Sequence, residues 1–528
     1  MGMSIEFRHG DSPMRNVSAL AIIALLFRGV ATPQARPLDW PSYGGDARRT
    51  GWERSDTRIT RENVKDFQLV LKRKLEGAES GPRSLTPPVV IGLLISYRGF
   101  KELGVLSDSA GDLWALDVDL NKIFWKKRFG ESSSQQSSSV CSGIAATPAL
   151  IPPVTFGGVR RPPAAASTTK AATISPRLGG AGFGLPRSIF MLAPDGKLHQ
   201  VNSSDGSDQF PPLDFLPPGA RASSLTVNHN TVYASTSGNC AGTENGVWAI
   251  DLSEDEPRPV HFELNGSDAN GLGGFAIGND GTVYVQTGAA ETGSATHKWA
   301  NTLLALAPGD LKVKGNFTIS NSAPGTGNAA TPVVFEHKGR DIVATAGSDG
   351  RIYLLDSASA GGEDHKTALY KTVRIASEGG GIWGGLSTWQ DADGVRWLSA
   401  PVWGTPNAGL GLPGTNGPTP HGAIVAFKVE DQSGGLSLAP AWVSRDLISP
   451  VPPVITSGVV FALSTGGGQA HERATLYALD GATGKEVYST GDQTGAPGSL
   501  TGLSVANGRV YFTTIDGTLY AFGIRLEI

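Results

Sequence analysis

The chain has 528 residues, too many for one ordinary core unless a repeated unit absorbs them. Charged residues are only 17% and the formal net charge is -4, so the basic stripe of a nucleic-acid-binding protein is missing. With 70 glycines, 34 prolines and no long helical period beyond the N-terminus, the composition is that of a turn-rich all-β protein.

Residues 1–35 read as a secretory signal peptide. Arg15 precedes the apolar run 17–27, and the small residues Gly29, Ala31 and Ala35 follow. Met14 is an alternative start, because it sets the charged region directly before the apolar one, with removal after Ala31 or Ala35. The run is shorter than the ~20 residues of a membrane span. The expected location is therefore the periplasm or the medium, without a membrane span.

Residues 36–66 form an arm that contains 39–52, DWPSYGGDARRTGW. From residue 67 onward one pattern recurs: an alternating apolar strand, often after a glycine turn and often ending in Asp. Its copies are 111–117 (GDLWALD), 196–202 (GKLHQVN), Gly246–Asp251 (GVWAID), Thr302–Leu306 (TLLAL), 350–356 (GRIYLLD), 422–428 (GAIVAFK), Thr475–Asp480 (TLYALD) and 517–523 (GTLYAFG). Aligned on Trp114, His199, Trp248, Leu304, Tyr353, Val425, Tyr477 and Tyr520, they repeat at spacings of 85, 49, 56, 49, 72, 52 and 43 residues. Periods near 40–50 residues with further strands between copies predict four-stranded propeller blades.

The expected fold is all-β: an eight-bladed β-propeller spanning 67–528. The last unit lacks an outer strand, whereas residues 67–75 (FQLVLKRKL, Phe67 to Leu75) stand before the first unit without a blade of their own. Pairing that N-terminal strand outside 518–522 closes the ring and leaves no open edge there. Residues 152–186, rich in Pro, Ala, Gly, Ser and Thr, carry too little apolar content for a core and read as a disordered surface insertion. Asn407–Pro420 is a second glycine- and proline-rich loop. Cys141 and Cys240 are the only cysteines; in an oxidising compartment they can pair, and two unpaired loop thiols are the other reading. The Asp-Gly pairs at 195–196, 280–281, 349–350, 393–394 and 516–517 read as hairpin chemistry rather than metal ligands.

Propellers bind ligands at the mouth of the central channel, where the innermost strands begin. A column of small residues recurs there, among them Ser84, Ala145, Ser224, Gly273 and Ser499, and is read as a packing constraint. The residues just before it vary and face the entrance: Arg83, Ile144, Ser223, Leu272, Asn328, Gly384, Ser449 and Gly498, with Trp383 one step earlier. Arg83 suits a carboxylate, Asn328 a carbonyl or calcium, and Trp383 a planar ring. Glu378 and Asp108 are the nearby acids in sequence.

The segment Trp40-Pro41-Ser42-Tyr43-Gly44-Gly45-Asp46, followed by Ile59, Asn63-Val64 and a strand, resembles the opening of pyrroloquinoline-quinone (PQQ) propellers. The eight copies resemble the PQQ-type repeat over roughly 40–522, most fully at 475–488 (TLYALDGATGKEVY) and poorly at 196–202 and Thr302–Leu306. The resemblance implies the quinoprotein alcohol dehydrogenase-like fold and, for its catalytic members, PQQ with calcium. Arg83, Asn328 and Trp383 are then the cofactor-binding candidates. The chain has no adjacent cysteine pair and no C-x-x-C-H, and the family's contexts for its calcium-binding Glu and Asn and its catalytic Asp find no match, so catalytic and metal residues stay unassigned. Two readings follow. The main one is an exported binding or scaffold propeller with a protein partner or a small-molecule ligand at the channel mouth. The alternative is a PQQ- and calcium-dependent dehydrogenase oxidising an alcohol or a sugar. Fold alone does not choose between them.

Overall fold

The computed structural model describes residues 38–96, 99–130, 145–151, 187–269, 271–288, 298–319, 329–432, 435–468 and 472–525, together with Met1. The expected signal peptide beyond Met1, together with Cys141, Ile144, Asn328 and the insertion 152–186, lies outside the described residues.

The chain is an all-β β-propeller. Its described strands pair into eight sheets, each centred on an antiparallel meander. The first sheet runs Val89–Ser96, Gly99–Ser107, Asp112–Asp117, Lys122–Arg128, and its burial explains the sequence pattern. Asp112–Asp117 (DLWALD) is buried at every position, because a middle strand is covered on both faces by neighbouring sheets. Lys122–Arg128 (KIFWKKR) is largely exposed and marks the outside. A strand buried on both faces reads as a nearly continuous apolar run, whereas an outer strand takes charges.

Apolar clusters join successive sheets. Val105 and Leu113 of the first sheet pack with Ile189 and Met191 of the second. Tyr233 and Val247 of the third pack with Val283 and Leu304 of the fourth. Phe461 and Leu476 of the seventh, Tyr511 and Phe522 of the eighth and Trp114 of the first share one cluster. Gln68–Lys74 pairs antiparallel with Thr518–Gly523, from Gln68↔Gly523 to Lys74↔Thr518. Cys240 is disulfide-bonded.

The arm has a course that its sequence does not announce. The innermost strand of each sheet has one edge facing the axis, where backbone N–H groups need acceptors. Arm carbonyls supply them to six sheets. Val90 N–H donates to Trp40 O (3.0 Å), Leu150 to Pro41 (2.8 Å), Ile277 to Ala47 (2.8 Å), Val334 to Arg48 (3.0 Å), Thr388 to Thr50 (2.9 Å) and Ile455 to Gly51 (2.7 Å). Trp52–Glu53 then pairs in parallel with Val454–Thr456. Tight curvature is needed to turn so short a segment past so many strands. Gly44, Gly45 and Gly51 supply it with φ of 70°, 81° and 66°, and Arg49 adopts 63°. A Cβ on Gly45 would lie 2.8 Å from the buried Trp40 ring.

Arg49 reaches the third and fourth sheets from this arm. It is 2% exposed. Nη1 donates to Tyr43 O (2.6 Å), Nε to Phe275 O (2.9 Å), and Nη2 to Thr226 Oγ1 (2.6 Å) and Ser224 Oγ (3.0 Å). Burial pushes its pKa down to about 10, partly offset by Tyr43 and Asp46.

Candidate functional site at the channel mouth

Gly381–Gly385 (GIWGG) extends the sixth sheet and pairs in parallel with Ala329–Thr331. A loop from the fourth sheet crosses to it. Leu272 N–H donates to Gly384 O (2.9 Å), and Gly273 N–H to Thr331 Oγ1 (2.9 Å). Gly384 has φ 79°, and a Cβ there would meet Pro452 Cδ at 2.7 Å. In the small-residue column, a Cβ on Gly273 would lie 3.0 Å from Arg49 Nε and from the Tyr43 ring, as a packing constraint requires.

Two of the three sequence candidates come together. The Arg83 guanidinium lies 4.9 Å from the centre of the Trp383 ring. Trp403 stacks on Trp383 with centroids 4.6 Å apart and planes at 25°, and its own Nε1–H donates to Pro450 O (2.8 Å). Trp383 Nε1 is buried with no hydrogen-bond acceptor among the described residues. A buried donor in that state points to a missing acceptor. Asn328 lies outside the described residues. Asp108 is not a partner of Arg83: its carboxylate accepts from the backbone N–H groups of Glu79, Ala110 and Asp112 and closes a turn. Glu378 is exposed.

The residue that sequence reasoning passes over is Arg221, two positions before Ser223. With Arg83, Thr147, Ser223, Leu272 and Thr501 it lines a cavity of about 50 Å³. Burial lowers the pKa of Arg83. Burial, and then the charge of Arg83, push Arg221 down to about 10, with Asp268 pulling the other way. Two half-buried guanidiniums thus share one recess, and no ion pair holds Arg83 among the described residues. Such a pair attracts carboxylates or other oxyanions. Its position beside Arg83 in space, rather than any local motif, is the signal.

A much larger cleft of about 790 Å³ lies between the fourth and fifth sheets. Several of its charges are already matched: Lys314 with Asp280 (2.9 Å), Arg340 with Asp356 (3.1 Å), and Asn279 Nδ2 on Asp341 (2.8 Å). Size favours the cleft, but unsatisfied chemistry favours the mouth, and chemistry is the better guide to a ligand.

The mouth fits part of a PQQ–calcium pair. The two arginines and the orphaned indole N–H suit carboxylates. The present cavity holds a group of carboxylate size, and Arg83 and Trp403 both lie against the Trp383 ring. Among the described residues no group of three or more His, Cys, Asp or Glu side chains is placed to hold a metal ion.

No family model and no curated protein matches this sequence. Solved structures do. A protein described as a europium-containing methanol dehydrogenase superposes with a TM-score of 0.59 at 14% identity, covering 93% of this chain and 98% of its own. The quinohemoprotein alcohol dehydrogenase of Comamonas testosteroni gives 0.56 at 15% identity, covering 94% and 83%. The quinohemoprotein alcohol dehydrogenase ADHIIG of Pseudomonas putida HK5 gives 0.59 at 12%, covering 93% and 81%. At such identities the likeness is one of fold. The chain has the β-propeller fold seen in quinoprotein-type alcohol dehydrogenases.

Proposed function

We propose that this chain is a quinoprotein-like propeller that binds a planar, carboxylate-bearing small molecule at the channel mouth, with PQQ the first candidate. The observation that carries the reading is the recess in which Arg83 and Arg221 stand beside the orphaned Trp383 Nε1–H. The three solved structures reported above, a methanol dehydrogenase and two alcohol dehydrogenases, favour this over the protein scaffold expected from the sequence. Oxidation of an alcohol or a sugar is the activity to assay once binding is found. In this reading the eight sheets are eight blades of one ring, Gln68–Lys74 completes the last blade, and residues 1–35 export the chain to the periplasm or the medium. Among the described residues no helix is long and apolar enough to cross a membrane.

Calcium is the weaker half of the reading, because the arginines need no metal to hold carboxylates. Equilibrium dialysis of PQQ against the protein, with calcium and with a chelator, tests it. Saturable binding in both conditions is expected. Binding only with calcium would move the anchor from the arginines to a metal site, and no binding in either would return the chain to the scaffold reading.

A further inference from the structure

At the end of the first sheet remote from the mouth, two turns carry apolar side chains into solvent. Val89–Ser96 leaves the mouth and returns as Gly99–Ser107, with Ile95 and Phe100 cross-strand partners near the turn. Partners across an antiparallel pair share a face, so these two side chains form one apolar tip. Phe100 is 75% exposed and Ile95 42%. The next strand, Asp112–Asp117, accompanies the hairpin only to Leu103↔Asp117, with one further bond from Val118 N–H to Glu102 O (3.1 Å). It then turns at 118–121, where Leu120 is 58% exposed. After Met1, Phe100 and Leu120 are the most exposed large apolar side chains of the described residues.

The base of this hairpin is fixed. Beside Phe100, the buried Lys101 pairs with the buried Asp117 (2.6 Å), and its Nζ lies 5.4 Å from the Phe124 ring. Glu102 accepts from Tyr511 Oη (2.7 Å) and Arg509 (3.1 Å) of the eighth sheet. The apolar end is therefore held out in water by buried polar anchors, against the hydrophobic effect. Cations flank it. Lys122 pairs in register with Asp117 at the end of the 118–121 turn, and the Lys72 carbonyl accepts from Asn121 Nδ2 (3.4 Å). Both lysines are exposed, and neither enters an ion pair among the described residues. The acids of the turn are taken, Asp117 by Lys101 and Asp119 by Arg509 (2.7 Å).

We propose that Ile95, Phe100 and Leu120, flanked by Lys72 and Lys122, dock this end of the propeller on an anionic phospholipid surface. A protein partner is the poorer fit. Three side chains on two projecting turns make no groove and fall well short of the ~800 Å² a side of a stable protein contact. A bilayer needs only the tips: apolar groups enter the boundary between headgroups and acyl chains while lysines meet the lipid phosphates. The chain as a whole carries a net charge of -4, so the local lysines set which end approaches. The surface is remote from the channel mouth and stands or falls without it.

The test places an environment-sensitive fluorophore on Phe100→Cys in the full chain; Cys240 is disulfide-bonded and does not compete for the label. Vesicles of phosphatidylglycerol and phosphatidylcholine in equal parts are then added. A brighter, blue-shifted emission that saturates is expected, absent with phosphatidylcholine alone and absent from a probe on Val373→Cys, an exposed position after the fifth sheet. Leu120→Cys gives the same reading at the second tip. Lys72→Gln together with Lys122→Gln raises the apparent Kd about tenfold or more. Because the probe reports its own position, binding through any other part of the chain does not imitate this result. No shift at position 100, an equal shift with neutral vesicles, or a Kd unmoved by the lysine changes overturns the proposal. A shift that grows with protein concentration in buffer alone assigns the tip to a second copy of the chain and overturns it as well.

Discussion

Arg49 and Arg83 are both withdrawn from water, and they differ in what surrounds them. The Arg49 guanidinium is enclosed by Tyr43 O, Phe275 O, Ser224 Oγ and Thr226 Oγ1. Arg83 faces an indole and has no ion pair among the described residues. The first arrangement holds a fold together, and the second is the one assigned to an anion in the function proposed above. Arg49→Ala leaves buried carbonyls without donors, a loss of about 3 kcal/mol or more for several such bonds. Denaturant titration checks it. Arg49 also has φ 63°, so Arg49→Gly relieves the backbone while losing the same bonds. Arg49→Gly is expected to be destabilising as well; a gain in stability would mean that backbone strain, not hydrogen bonding, dominates at this position.

The arm is where sequence and structure part company. Its likeness to a known opening segment is legible from Trp40-Pro41 and Gly44-Gly45. Its path is not, because its bonds to six sheets run through backbone carbonyls, which leave no side-chain signature. Strands are legible for the opposite reason: runs such as Val459–Ser464 and Thr475–Asp480 must be apolar to lie between sheets, and glycine must follow where the chain turns. The arm also carries a pH dependence. Glu53 has its carboxyl pushed up to about 7, first by burial, with Asp56 and Asp39 adding to it. Its folded pKa lies above the ordinary value, so the folded state holds the proton longer. The stabilising contribution is complete below about 4.5 and is lost as pH rises through about 7. Stability followed by chemical denaturation between pH 4 and 8 is expected to fall over that interval, and Glu53→Gln to flatten the fall. An unchanged slope in Glu53→Gln would assign the proton to another group.

Across the whole molecule, the first and last sheets meet at a buried charged seam. Arg509 donates to Glu102 (3.1 Å) and Asp119 (2.7 Å), and Tyr511 Oη to Glu102 (2.7 Å). With the clustered core that includes Trp114 and Phe522, the seam joins chain segments far apart in sequence. The opposite side of the same organisation is a channel whose innermost edges are occupied by the arm and whose mouth is narrowed by Leu272 and Arg83. Sequence reading finds Arg83 and Trp383 because they flank a column of small residues. It misses Arg221, since the contact that matters is between sheets. The proposed function turns on one recess, and calorimetric titration of PQQ into the wild type, Arg83→Ala and Arg221→Ala tests it most directly. One-to-one binding weakened about tenfold or more by each substitution is predicted, the loss of one charge-assisted contact apiece. Binding of equal strength in all three proteins, or no heat in any, would contradict the account.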